Sequence, residues 1–211
     1  MPPPNFAAIN GNPALLLTWL QTNLLMAGNI TDVPNPPGTA SVGIIAPPAI
    51  PAPAAAVDHY TGAAMDTWVA NCAGAAPNAL PSYVCNYQPG QVRSVTLAAA
   101  ANFCFTVTLN GCTFGIGPVA PGGVRVVSHA NTGGNTLPQR AQTWAEHHVP
   151  ANAQAITMLE PMLYRKIAPA MQATVFGIRV GGNWQFHFQS YDRLPGAGIR
   201  VYGVFPILLY N

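Results

Sequence analysis

Charge is what this sequence has least of. Lys and Arg number 8 and Asp and Glu 6, together 7% of 211 residues, against roughly 25% in an average globular protein. The formal net charge is +2. So neutral a chain offers no basic stripe for nucleic acid and no polybasic patch for a membrane surface. Neither is expected as a partner. Solubility must come from Asn, Gln, Thr, Ser and the backbone.

Long apolar runs are also missing. None reaches the roughly 18 residues that cross a bilayer. The nearest approach, residues 14–28, is interrupted by Gln21, Thr22 and Asn23 and has no basic leader. It does not read as a Sec signal peptide. If the chain is exported, a dedicated secretion machine or an upstream segment must do it. No internal repeat is visible. No CxxC and no Cys/His cluster at zinc spacing occurs, so neither a metal nor another cofactor is expected. The four cysteines, Cys72, Cys85, Cys104 and Cys112, are even in number and would allow two disulfides, though a chain of this length does not need them to fold.

Proline (22) and glycine (20) are plentiful, and they predict many turns and extended segments. Residues 1–12 read as an extended arm. Residues 13–27 read as a helix capped by Asn12 and stopped by Gly28. Residues 31–56 read as a Pro/Ala/Gly strap with a short strand at 41–45. Residues 58–72 suggest a short helix starting near Asp58. Residues 91–97 and 102–109 alternate as strands do. In the second, Phe103, Phe105, Val107 and Leu109 share one face, and Cys104, Thr106 and Thr108 share the other, which is expected to be wet. Short strands are expected at 112–117 and 123–128, and helices at 138–148 and 152–167, the latter broken at Pro161. The clearest hairpin joins 173–180 to 184–191 through Gly181-Gly182-Asn183. The last segment, 199–210, reads as a strand broken by Pro206. The fold class expected is α+β: a mostly antiparallel β-sheet or sandwich core flanked by a few helices. Residues 1–211 are expected to form a single domain, with 1–57 a Pro/Ala-rich arm plus helix packing on it.

Chemistry concentrates at Leu109-Asn110-Gly111-Cys112 and the downstream Ser128-His129. Asn-Gly between two alternating apolar runs is a strong hairpin signal. On that account Cys112 is a small buried hydrophobe at the start of a strand. A disulfide is a further alternative. A sharp turn would also expose the next residue and aim its N–H as one oxyanion donor. A thiol so placed, with a histidine on a neighbouring strand, suits nucleophilic catalysis, because the imidazole draws the proton and the thiolate attacks. His59 and His187 read as structural. His147 and His148 end a helix, where a cation suits the dipole.

The Leu-Asn-Gly-Cys stretch with its downstream histidine resembles the Leu-Ser-Gly-Cys motif of the cytotoxic necrotizing factor type of bacterial toxin deamidases. Compact, Burkholderia lethal factor 1-like members of this family are single domains of similar length. The hairpin at 173–189 is similar to a C-terminal strand pair of such domains. The similarity covers residues 100–190 in pattern and is specific at only a few positions. It implies a cysteine-dependent hydrolase, a virulence factor delivered into the host cytosol, that deamidates a glutamine of a host protein. It implies Cys112 as nucleophile, His129 as base and Thr106 as a supporting residue. Asn110 replaces the family's serine, and the gap to the histidine is slightly longer. The family orients its histidine with a main-chain carbonyl or a neutral group, which fits a chain poor in acids. The same residues would serve a transglutaminase or a cysteine protease. The competing expectation from composition is a non-enzymatic secreted or shell-type β protein, with Cys112 buried or disulfide-bonded.

Overall fold

Gly181 and Gly182 both take positive φ, 57° and 84°. They join β-strands Gln172–Val180 and Asn183–Leu194, with Val180 paired to Asn183 across a two-residue turn. Glycine adopts that backbone without strain, and the hairpin matches the one expected from the sequence. The structure is a computed structural model that describes residues 4–27, 38–46, 55–72, 78–131, 136–147, 156–194 and 198–209.

Along the chain, helices α1 (Phe6–Gly11) and α2 (Leu15–Leu20) precede β1 (Asn23–Met26), β2 (Gly38–Ile45), β3 (Ala56–Asp58) and β4 (Ala64–Asn71). Then come β5 (Leu80–Cys85), β6 (Gln91–Leu97), β7 (Phe103–Thr106), β8 (Thr113–Ile116) and β9 (Arg125–Asn131). Helix α3 (Thr136–Glu146), β10 (Thr157–Leu159) and helix α4 (Pro161–Tyr164) follow. The hairpin strands above are β11 and β12, and β13 spans Gly198–Ile207.

Strands β4-β2-β5-β7-β11-β12-β13-β3 are hydrogen-bonded in that order, and β3 returns to β4. This closes a barrel of eight strands, with β1 added in parallel to β4. A second sheet runs β10-β8-β9-β6. The expectation of a mostly antiparallel, β-rich fold with few helices holds. The sandwich does not, because the larger sheet closes on itself and so removes its free edges.

β7 shows how the layers meet. Phe103, Phe105 and Val107 enter an apolar cluster with Leu16, Leu20, Leu80 and Phe176. Cys104 and Leu109 enter another with Phe114, Ile116, Val127 and Phe186. The second sheet therefore packs on the Cys104 face of the barrel wall. Cys104 and Thr106 are buried and Thr108 is half-buried, so the face expected to be wet is dry at its first two positions.

Several expected elements differ, each for a tertiary reason. The helix expected over 13–27 ends at Leu20, and Asn23–Met26 is a strand. Gln189 holds that break: its Nε2 donates to Leu20 O at 3.1 Å and Asn23 O at 2.7 Å, and its Oε1 accepts from Leu25 N at 2.8 Å. Gly28, the expected stop, lies outside the described residues. The helix expected at 58–72 is instead a turn and a strand. Asp58 accepts from Tyr60 N at 3.0 Å and Thr61 N at 2.8 Å, an Asx-type turn with Gly62 at φ 70°. Residues 157–159, expected to be helical, form an edge strand on β8. The arm expected at 1–12 contains α1, capped by the Asn5 side chain accepting from Ala8 N at 3.0 Å.

Candidate active site

The Asn110-Gly111 turn is not a hairpin. β7 pairs with β5 and β11, and Leu109 bridges to Ala173 of β11. Cys112 then leads into β8 of the other sheet, which pairs with β9. Asn110 and Gly111 therefore carry the chain from barrel to second sheet. Gly111 sits at φ 92°, and that conformation permits the crossing.

Three side chains pin this crossing. Tyr164 Oη accepts from Gly111 N–H at 2.8 Å and donates to Cys112 O at 3.1 Å. Gln139 Nε2, from α3, donates to Gly111 O at 2.9 Å, and its Oε1 accepts from Thr113 Oγ1 at 2.7 Å. Arg165 donates from Nη2 to Asn110 Oδ1 at 2.8 Å. Sequence reasoning missed all three. Tyr164 and Arg165 fall in a stretch read as helix, and nothing local to it points to a turn so distant in sequence.

The histidine is placed by register. His129 of β9 lies opposite Phe114 of β8 and Arg93 of β6. Directly opposed residues share a sheet face, and so do residues two apart. Phe114 and His129 thus belong to one side of this sheet, and Cys112, the residue before β8, is buried in the same apolar cluster as Phe114, while Thr113 and Ser128 face α3. The Gly-rich connection brings β8 and β9 side by side, as expected. Tyr87, 41% exposed, places its ring 5.7 Å from the imidazole.

Thr106, at the end of β7, pairs with Cys85 at the end of β5. Its Oγ1 donates to Cys85 O at 2.7 Å and also lies 2.7 Å from His129 Nδ1. A hydroxyl has one proton. With that proton on the Cys85 carbonyl, Thr106 accepts from Nδ1–H. The lone pair of His129 is then on Nε2, which is buried with no hydrogen-bond partner. This is the tautomer a general base requires.

The structure therefore joins Thr106 to His129 and ties Asn110 to Arg165. It does not hydrogen-bond Cys112 to His129. Cys112 is 7% exposed and His129 0%. Burial pushes the imidazole down to about 3, so it is neutral at neutral pH. Burial also pushes the Cys112 thiol up, opposed by the Asn110 N–H and the Arg165 charge. Thiol and imidazole are both uncharged at rest. All four cysteines are free, so the disulfide alternative fails.

The other histidines stand apart. His59 packs on Tyr202 at 4.6 Å and His187 stacks on Phe176 at 5.8 Å. His147 is 2.9 Å from Ser128 Oγ, and His148 lies outside the described residues. Tyr164 also lines a cleft of about 580 Å³ with Leu159, Leu163, Phe188 and Ile207, which Cys112 and His129 do not line. Among the described residues no helix is long and apolar enough to cross a membrane.

No family model and no curated protein matches the chain. Among solved structures it is similar to the C-terminal domain of CNFy from Yersinia pseudotuberculosis, at 12% sequence identity and a TM-score of 0.46 over 96% of each chain. That likeness is distant and assigns no residue a role.

Proposed function

We propose that this chain is a toxin-type, cysteine-dependent glutamine deamidase acting on a host protein. Cys112 is the nucleophile, His129 the base, Thr106 the residue that fixes the base, and Asn110 part of the turn that carries the thiol. The observation that carries the reading is the directed chain Cys85 C=O, Thr106 hydroxyl, His129 Nδ1–H. It leaves the Nε2 lone pair of His129 without a partner and so available to take a proton.

In this mechanism Nε2 takes the thiol proton as substrate enters, and the thiolate attacks the glutamine carboxamide carbon. Catalytic hydrogen bonds that are long without substrate commonly tighten in the complex. The imidazolium is stabilised by Nδ1–H donation to Thr106, a neutral relay in a chain with six acidic residues. The tetrahedral oxyanion is held by backbone N–H groups, that of Cys112 among them. Its collapse breaks the C–N bond, and Nε2–H delivers its proton to the departing ammonia. Water then gives a proton to Nε2 and attacks the thioester. Glutamate leaves, and the proton returns to sulfur. An amine in place of water would give transglutamination by the same steps. The product carries one new negative charge on the target.

The burial of both groups favours a second reading, a non-enzymatic β structural protein. Intact-mass analysis of host proteins after exposure separates the two. A gain of about one dalton at a glutamine, amide to acid, is expected. It should be lost in Cys112→Ala and His129→Ala, and no gain with any host fraction would leave the structural protein. Action inside a host cell implies delivery into its cytosol.

A further inference from the structure

Outside the thiol and the imidazole, one charged side chain reaches the nucleophile turn. Arg165, at the C-cap of α4, is fastened at two points. Its Nε donates to Met171 O at 3.2 Å and its Nη2 to Asn110 Oδ1 at 2.8 Å. Between them the guanidinium lies beside Gly111. A Cβ built on that glycine would meet Nη2 at 3.5 Å, Nη1 at 3.8 Å and Cζ at 3.9 Å. The guanidinium thus covers the one residue that separates Asn110 from Cys112. At those distances a Cβ would still fit, so glycine is required here by its φ of 92° rather than by the cation.

We propose that Arg165 is a positioning residue of this site: it locks the Asn110 side chain and holds a fixed positive charge over the Gly111 peptide, so that a thiolate can form at Cys112. The inference rests on the deamidase reading for its purpose, but the thiol chemistry is measurable without a substrate.

The surroundings make this charge matter. Tyr164 from α4 has its phenol pushed up by burial and is neutral. His129 from β9 is neutral. Cys85 from β5 and Cys104 from β7, both in the apolar cluster that holds Cys112, have their thiols pushed up by burial. Among these groups only Arg165 is charged at neutral pH. It acts on the thiolate in the favourable sense, as does the Asn110 N–H. The geometry also gives Asn110 a task where the resembling motif has serine. Its amide oxygen is the acceptor that anchors the cation.

The test is the pH dependence of iodoacetamide alkylation at Cys112 in the native full chain, read by peptide mass mapping, with the melting temperature followed in parallel. Arg165→Gln keeps a donor for Asn110 but removes the charge. It should move the alkylation profile to higher pH, with a rate at pH 7 about tenfold lower, the equivalent of one pKa unit. Arg165→Lys keeps the charge but not the fork, and it should recover part of that loss. Raising the salt should shrink the wild-type advantage. An Arg165→Gln profile that superimposes on wild type overturns the proposal, even if the melting temperature falls. A lysine variant as slow as glutamine overturns it too. An unshifted profile in a chain that deamidates its target sinks only this inference. A shifted profile in a chain that never changes a target's mass sinks only the deamidase.

Discussion

Thr106 and His129 are joined by a 2.7 Å contact between Oγ1 and Nδ1, and its direction is set by a third group, the Cys85 carbonyl. The threonine reaches from the end of a barrel strand to a histidine in the middle of the second sheet. It therefore fixes both the tautomer and the seam between the two sheets.

Thr106→Val keeps the shape and removes the acceptor. Nδ1–H is then buried without a partner, at a cost of about 1–3 kcal/mol in unfolding free energy. The imidazole is also free to turn. Urea denaturation should report the first effect, and glutamine deamidation should fall well beyond what lost stability explains. Thr106→Ser, which retains the hydroxyl, should recover most of the activity. Equal activity in the valine variant would remove Thr106 from the site.

Cys112→Ala should abolish deamidation and destabilise only modestly, by about 1 kcal/mol, because a small group leaves a well-packed cluster. Cys112→Ser is the poorer control. At 7% exposure it places a hydroxyl among Phe114, Leu109 and Val127 and costs more than alanine unless that hydroxyl finds a partner. Thermal melts of the two variants side by side decide this.

Acid should destabilise the fold through His129. Its folded value, about 3, lies below the 6.5 of an unperturbed histidine. The unfolded chain therefore binds the proton first. The contribution is complete above pH 6.5 and is lost progressively as pH falls from 6.5 towards 3, at about 1.4 kcal/mol per pH unit for one proton. His187, also pushed down by burial, adds in the same direction. Urea midpoints across this range should slope steeply in wild type and less in His129→Gln. An unchanged slope in that variant would show that the histidine is hydrated.

Tyr164→Phe removes the hydroxyl that bridges Gly111 N–H and Cys112 O. Two backbone groups lose their partner, at about 1–3 kcal/mol for each one left buried and unsatisfied. The turn loosens, and Cys112 alkylation at high pH should become faster. Slower or equal alkylation would place the thiol's restraint elsewhere, at Gln139 or Arg165.

Strand positions with strong alternation or a glycine turn were legible in the sequence: the Gly181-Gly182 hairpin, Gln91–Leu97, and the phenylalanine face of Phe103–Thr106. The pairing of β8 with β9 was legible from a short glycine-rich link. Misread segments were those whose local preference was overruled from afar. Gln189 satisfies the backbone where α2 stops, and Asp58 closes a turn with the same side-chain acceptor that would cap a helix.

The sequence by itself determined a β-rich, low-charge chain and the residue types of the site, because alternation, turn glycines and scarce reactive groups are local properties. Barrel closure, the burial of Thr106 and Cys104, the tautomer of His129 and the clamps from Tyr164, Gln139 and Arg165 were decided by tertiary structure. Each depends on a hydrogen bond or a packed face between segments far apart in the chain, and no local pattern records which distant partner will be there.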